Sequence, residues 1–320
     1  MSELLMVEQR QGSGDDAFWV REGDRRIPGQ DGNRRLVELR AGLVRHAGVR
    51  PVTADAPDEE IERTLEALHD PGYLEALFEL SSPEPVIMPD FAPPGLEPDI
   101  PVNANLIAAA REGIRTSITA AERLLEGARF TYAVCRPPGH HAGPAFHAGY
   151  CYLNNAAAAA RRLCDGGMRP VGIVDLDLHY PNGTSALVER MAPYATLHSL
   201  HAAPVTNLPP GTRLPRVEGE RAVSFAGSPD EDTYLEEVEA SVHDLSEIAH
   251  ALVVSLGFDT VAGDPHGGWS FQPEIFAAVG RLLAESGLPI CVIQEGGYAL
   301  DDLAACSHAF ATGLLGVNGR

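Results

Sequence analysis

Cysteine is sparse in this chain. Its 320 residues carry five, Cys135, Cys151, Cys164, Cys291 and Cys306, an odd number with no C-x-x-C pair. They lie mostly in apolar, strand-like or helical contexts, which excludes a disulfide framework and a thiolate zinc cluster. Long apolar runs are missing too. None reaches the roughly 20 residues of a membrane-spanning helix, and the opening MSELLMVEQRQGSGDDAFWVREGD lacks a basic region followed by an apolar core. No membrane partner and a cytoplasmic location are therefore expected. Positive charge is scarce: 24 Lys and Arg stand against 45 Asp and Glu, a formal net charge of −21. That argues against nucleic acid, whose binders carry basic faces. It is compatible with a cationic small-molecule ligand, or with acidity that serves only solubility. Hydrophobic residues at 44% and charged residues at 22% are ordinary globular values and indicate neither disorder nor fibre. With no internal repeat and no composition break, a single domain over 1–320 is expected.

What the chain does have is one stretch around which the rest can be organised: Val171–Thr184, VGIVDLDLHYPNGT. It begins as a buried parallel strand and ends in Pro-Asn-Gly, which cannot continue one. If the strand runs to His179, alternation puts Asp175, Asp177 and His179 on one face and Val174, Leu176 and Leu178 on the other. A carboxylate and an imidazole two residues apart at a strand end can supply two arms of a metal site. The plainer alternative is a buried Asp and His satisfied by hydrogen bonds.

Around this stretch, helices are expected over Arg34–His46, from about Asp58, over Gly72–Leu80, Asn105–Gly127, Cys151–Cys164, Thr233–His250, Phe271–Ser286 and Asp301–Leu315. Strands are expected at Phe130–Cys135, Ala195–Leu200, Ala251–Leu256 and Pro289–Gln294. His201–Asp232 reads as irregular, and Ser81–Asn103, rich in proline, as a surface loop beside a site. Strands separated by helices mean right-handed crossovers and a parallel sheet covered on both faces, with ligands beyond the carboxyl ends of the strands.

The unusual polar residues gather at those ends: His140 and His141 after the first of these strands, His179 after the central one, then Asp264 and Tyr298. Asp177, His179 and Asp264 would form a three-ligand site of two carboxylates and one imidazole with an open position, the plan of catalytic zinc sites. Paired histidines could move protons and a tyrosine hydroxyl could stabilise an oxyanion. Taken singly, each is also an ordinary loop, turn or helix-start residue.

RPPGHHA, GYCYLNN, DLDLHYPNGT, SLGFDTVAGDP and EGGY, in this order, resemble the histone deacetylase and acetylpolyamine amidohydrolase superfamily, in its zinc-dependent, class II-like bacterial form. The resemblance runs from about His69 to near the C terminus. It implies an arginase/deacetylase-like three-layer αβα sandwich with a central parallel eight-stranded sheet, and hydrolysis of a linear amide C–N bond. It also implies one catalytic Zn2+ on Asp177, His179 and Asp264, with His140 and His141 as the tandem histidines and Tyr298 polarising the carbonyl. Asp175 would orient His140, and Asn182 would sit behind His141. Gly149 and Tyr150 would line the acyl channel. Asp175, Asp177, His179, Ser199 and Leu200 would hold a structural K+ or Na+.

The sequence departs from the family pattern at Tyr180 and Pro181, where His-Gly is usual. It departs again at Gly29-Gln30-Asp31, where His-Pro-Glu precedes an arginine matched here by Arg35. His266 and Trp269 have no general counterpart and could shape substrate choice. The expected substrate is a small cationic acetylated amine such as an acetylpolyamine, met at the channel mouth by Glu97 and Asp99. An acetyl-lysine protein or a specialised metabolite is the alternative, and a homodimer or homotetramer the expected assembly. A silent acyl-binding relative and a binuclear ureohydrolase are the competing classes.

Overall fold

Four short, wholly buried strands lie side by side at the middle of one sheet, and a cluster of buried charged and polar residues hangs from their carboxyl ends. The computed structural model describes residues 3–10, 19–22, 25–205, 208, 214 and 220–316. In chain order these form β1 (Leu4–Glu8), β2 (Trp19–Glu22), β3 (Arg25–Pro28), α1 (Asn33–Leu43), β4 (Val49–Thr53), α2 (Asp58–Leu68), α3 (Pro71–Phe78) and α4 (Ala104–Leu125). There follow β5 (Phe130–Val134), α5 (Asn155–Asp165), β6 (Val171–Asp175), α6 (Asn182–Met191), β7 (Ala195–Ala203) and β8 (Glu220–Ala226). The last are α7 (Glu231–Ser246), β9 (Ala251–Leu256), α8 (Ile275–Glu285), β10 (Ile290–Gln294) and α9 (Leu303–Leu315).

Eight strands form one sheet in the order β4-β1-β5-β10-β9-β6-β7-β8, and every neighbouring pair is parallel. The expected three-layer αβα architecture with a parallel eight-stranded sheet is thus present, and β2 with β3 adds a separate antiparallel hairpin. Alternation along the strands feeds two cores. Val7, Ala133 and Ile173 pack with α2 to α6, whereas Met6, Tyr132 and Val174 pack with α1, α7, α8 and α9. The run Ala156–Ala160 is fully buried, and side chains this short let α5 lie close to α4.

Sequence reading missed β1, β4 and β8. The outer two, β4 (VRPVT) and β8 (ERAVSFA), hold only exposed and half-buried positions and so show no buried apolar run. Part of β8's approach, and most of Gln11–Asp24, lies outside the described residues. The central strand is also shorter than expected. Asp175 Oδ1 accepts the Asp177 N–H (3.1 Å) and Asp177 Oδ1 accepts the His179 N–H (2.9 Å). These side-chain acceptors replace ladder partners, so pairing ends at Asp175 and the chain turns.

The outer helices on the α9 side meet through glycines. A methyl group on Gly313 would lie 2.0 Å from the Ala277 carbonyl oxygen, and one on Gly280 would lie 2.5 Å from that of Phe310. Gly313→Ala should cost about 1–3 kcal/mol through overpacking, a fall of roughly 2–4 °C in Tm per kcal/mol for a chain this size. Gly72→Ala, with nothing within 4 Å, is the control and should leave Tm unchanged or raised. Equal Tm values for the two variants would contradict the packing.

Candidate active site

The sheet order explains why distant motifs meet. β5, β10, β9 and β6 are adjacent, so the segments that follow them, 139–141, 295–298, 257–259 and 175–182, open onto one crevice. The carboxyl ends of parallel strands are where such folds hold ligands. The crevice is a cavity of about 310 Å³ lined by His140, His141, Asp177, His179, Asp259 and Tyr298 at its polar end. Pro93, Leu96, Pro138, Ala148, Gly149 and Tyr150 form its walls, with Glu97, Asp99 and His266 also on the lining.

Ligand atoms of Asp177, His179 and Asp259 lie within 4.8 Å of one another. His179 Nδ1 is 3.2 Å from Asp177 Oδ1 and 3.0 Å from Asp259 Oδ2. The third member of this group is therefore Asp259 and not Asp264, which corrects the expectation from sequence. Both oxygens of Asp264 are engaged elsewhere. Oδ2 accepts the N–H groups of Tyr298 (2.6 Å) and Ala299 (2.9 Å), and Oδ1 that of His266 (2.9 Å). A strand-end signal could have found Asp259, which stands three residues beyond β9, as Asp177 stands two beyond β6. Asp264 is eight beyond.

This donor set suits a metal ion. Burial opposes a charged His179, yet its hydrogen bonds to the Asp177 and Asp259 carboxylates overcome that and raise the imidazole to about 10. Burial, and then the Asp177 charge, push Asp259 up to about 7. Against the effect of burial, His140 and His179 hold Asp177 well below the usual carboxylate range. Crowded buried carboxylates thus draw positive charge from any neighbour, a demand that a dication bound by two carboxylates and one imidazole satisfies. Glycine backbone makes room for the carboxylate itself: a Cβ on Gly257 or Gly296 would lie 2.3 or 2.6 Å from Asp177 Oδ2.

The tandem histidines differ. His140 Nδ1 lies 3.3 Å from Asp175 Oδ2 and its Nε2 3.6 Å from Asp177 Oδ1. Burial works against its cation, but Asp177 and Asp175 raise it to about 10. His141 Nδ1 is 2.8 Å from Asn182 Oδ1, which fixes the Nδ1–H tautomer and makes Nε2 the acceptor nitrogen. Burial and the neighbouring His140 and His179 lower it well below the usual range, so it is neutral. Burial also raises the Tyr298 phenol well above its ordinary value, so it remains an O–H donor.

Other expected residues sort themselves by position. Gly149 and Tyr150 line the cavity, Tyr150 with a positive φ of 69°. Glu97 lines it as an exposed residue. Asp99 is more deeply set, with Oδ2 accepting the Gly149 N–H at 2.9 Å. Trp269 does not line the cavity, contrary to expectation. It is buried against Phe225, Tyr234 and Phe271, because the chain turns after His266 and carries it into the aromatic core. His266 does line the cavity, its Nε2 3.0 Å from the Tyr150 hydroxyl. Ser199 is the register partner of Asp175 across β6 and β7, with Leu200 next to it. Tyr180 and Ser185 both hydrogen-bond Glu220 at the start of β8 (2.7 and 2.8 Å), so Tyr180 ties the metal-ligand loop to the edge strand.

Two buried residues supply a scaffold: Glu295, to which motif reading gave no role, and Arg35, which it matched to the family's arginine. Glu295 Oε2 accepts the N–H groups of Gly139 (2.7 Å) and His140 (3.1 Å), and Oε1 accepts from Ser255 (3.1 Å). Arg35, fully buried, pairs with Asp31 (2.5 Å), donates to the carbonyls of Gly297 (2.7 Å) and Glu295, and lies 4.6 Å from the Tyr298 ring centre.

Fold and site together define an α/β protein with a buried carboxylate–imidazole group at the carboxyl edge of its sheet. The chain belongs to the histone deacetylase domain family, whose model matches residues 32–314. It is similar to acetylpolyamine amidohydrolase 1 of Pseudomonas aeruginosa, 35% identical over 211 residues that make up 63% of this chain and 61% of that protein. It is also similar to histone deacetylase 15 of Arabidopsis thaliana, 34% identical over 202 residues, 58% of this chain and 36% of that one. The match to the bacterial relative thus spans about three-fifths of that protein's length. The crystal structure of acetylpolyamine aminohydrolase from Burkholderia pseudomallei superimposes with a TM-score of 0.81 at 26% identity, covering 98% of both chains.

Arg35→Met should leave two buried carbonyls without their donor and Asp31 with Arg136 as its remaining ion partner (3.3 Å), at a cost of about 3 kcal/mol. Arg35→Lys should recover only part, since an ammonium cannot reproduce the planar fork. Denaturant midpoints test this, and a midpoint for Arg35→Met equal to the parent's would contradict the role given to Arg35.

Proposed function

We propose that this chain is a zinc-dependent amidohydrolase that removes an acetyl group from a small cationic amine such as an acetylpolyamine. The observation that carries the reading is the Asp177–His179–Asp259 group at the polar end of a cavity that Tyr298 and His141 also line. Zn2+ held by these three residues would act as a Lewis acid toward the amide carbonyl and lower the pKa of water. The chain's own groups complete the chemistry. Neutral His141, its tautomer set by Asn182, accepts a proton at Nε2 from the attacking water and returns one to the leaving amine. His140, oriented by Asp175, supplies positive charge beside the reacting centre. The Tyr298 hydroxyl donates to the carbonyl oxygen as negative charge develops there. Pro93, Leu96, Pro138 and Tyr150 form a mostly apolar passage suited to an acetyl group on a methylene chain, and Glu97 offers its carboxylate to a remote ammonium. The pairing of Asp175 with Ser199 supports a structural K+ or Na+ at that place, with Leu200 and the Asp177 and His179 loop contributing oxygens.

Acetyl-lysine in a protein is the second reading, favoured by the similarity to a histone deacetylase. Acetylputrescine, its neutral isostere and an acetyl-lysine peptide should be compared at low and high salt. One exposed carboxylate–ammonium contact contributes only about 0.2–1 kcal/mol, so the preference for the cationic diamine should be a few-fold and should shrink as salt rises. Preference for the peptide at all salt concentrations would reverse the substrate assignment.

Metal content and turnover of three variants test the site. Asp259→Asn should lose both zinc and hydrolysis. Asp264→Asn should keep zinc but turn over more slowly, because it loosens Tyr298. Tyr298→Phe should keep zinc and lose on the order of a hundredfold in kcat. Zinc retained in Asp259→Asn and lost in Asp264→Asn would overturn the ligand assignment.

A further inference from the structure

Behind the tandem histidines lies a second convergence of metal-binding atoms. One ligand atom each from His140, Cys151 and Glu295 fall within 4.8 Å of one another, and all three residues are buried. They come from separate parts of the chain: the turn after β5, the loop before α5 and the end of β10. Cys151 is fully buried, and its Sγ makes a long contact to the Gly149 carbonyl (3.4 Å) and a further one to the His141 backbone. Among the described residues it forms no disulfide.

We infer that His140, Cys151 and Glu295 form a second, weaker site for a thiophilic divalent cation such as Zn2+ or Cd2+, and that its occupancy switches hydrolysis off. The inference rests on the proposed function only for the switching, not for the binding. Sulfur, nitrogen and one carboxylate oxygen select a soft or borderline ion over Mg2+ or Ca2+, which prefer oxygen alone. Three protein ligands leave a fourth position. Access is through the cavity, because His140 and Gly296, next to Glu295, line it. Binding exchanges two protons for the metal: the Cys151 S–H bond and one His140 N–H bond break, thiolate–metal and imidazole–metal bonds form, and both protons leave to solvent.

This site would fill second because its donors are already engaged: Glu295 accepts the N–H groups of Gly139 and His140 and the Ser255 hydroxyl, and His140 Nδ1 lies 3.3 Å from Asp175 Oδ2. Burial and the nearby Glu295 carboxylate also hold the Cys151 thiol above its usual pKa, so the ion displaces a proton there as well. The consequence for hydrolysis follows from His140. A metal on His140 takes the place of the proton that gives the ring its positive charge beside the reacting centre, and Glu295 drawn onto the ion would slacken its hold on Gly139 and His140. Excess zinc would then inhibit an enzyme that one zinc activates, and more strongly as pH rises.

The experiment titrates the metal-free full chain with Zn2+ and, in parallel, with Co2+ as a spectroscopic probe. The parent should take two equivalents. Near-ultraviolet thiolate-to-cobalt absorption should appear only with the second, and hydrolysis should rise with the first and fall at least tenfold with the second. Cys151→Ser, a residue outside the hydrolytic machinery, should take one equivalent, show no thiolate absorption and keep its activity in excess zinc. Should that variant fail to fold, Cys151→Ala serves in its place. Asp259→Asn should lose the first equivalent and keep the second with its absorption. One equivalent in the parent, a second that persists without Cys151, or a second without thiolate absorption would each overturn the inference. Two equivalents with the expected absorption but no hydrolysis of any acetylated amine would instead refute the proposed function and leave the second site standing.

Discussion

Like charges buried together are the constraint on which the rest of this structure depends. Asp175, Asp177, Asp259 and Glu295 are each at most 1% exposed, at the carboxyl ends of adjacent strands. Ionised carboxylates out of water are costly unless paired and hydrogen-bonded. The surrounding chain meets that demand with whatever it can donate: imidazoles of His140 and His179, and backbone N–H groups of Gly139, His140, Asp177 and Gly296. Such a cluster is suited to holding a cation, as the proposed function requires.

The segment Glu295–Ala299 is the strut of this arrangement. Its backbone and side chains touch every functional element: Glu295 fastens the tandem histidines, the Gly296 N–H meets Asp177 at 2.9 Å, Arg35 holds the carbonyls of Glu295 and Gly297, and Asp264 receives the N–H groups of Tyr298 and Ala299. Five residues thus set Asp177, the tandem histidines and Tyr298 relative to one another. Placing them on the end of a central strand makes that geometry rigid.

Where the sequence carried strong periodicity, the architecture was legible. The central strands are apolar runs bounded by turn residues, and the helices after them are amphipathic, so the parallel sheet followed. The edge strands β4 and β8 escaped because half their residues face water, and β1 escaped because Gly, Asp and Arg crowd the segment beyond it. His140, His141, Asp177, His179 and Tyr298 stand on motifs at strand ends and were brought together. Asp264 was misassigned because a Gly-Asp-Pro turn resembles a ligand loop, while its carboxylate is consumed by three N–H groups. Asp259, inside the strand-end turn, was overlooked. Trp269 was placed by sequence nearness to a supposed ligand, and nearness along a turning loop says little about direction. Arg35 and Glu295 act through backbone carbonyls and N–H groups of distant segments, a relation no sequence pattern displays.

The central claim is that a single cation seats on Asp177, His179 and Asp259. X-ray absorption at the zinc edge of the chain carrying one equivalent of Zn2+ tests it most directly. The account predicts oxygen and nitrogen scatterers at about 2.0–2.2 Å and no sulfur. A sulfur scatterer near 2.3 Å at the first equivalent would show that the ion prefers Cys151, and would contradict the claim.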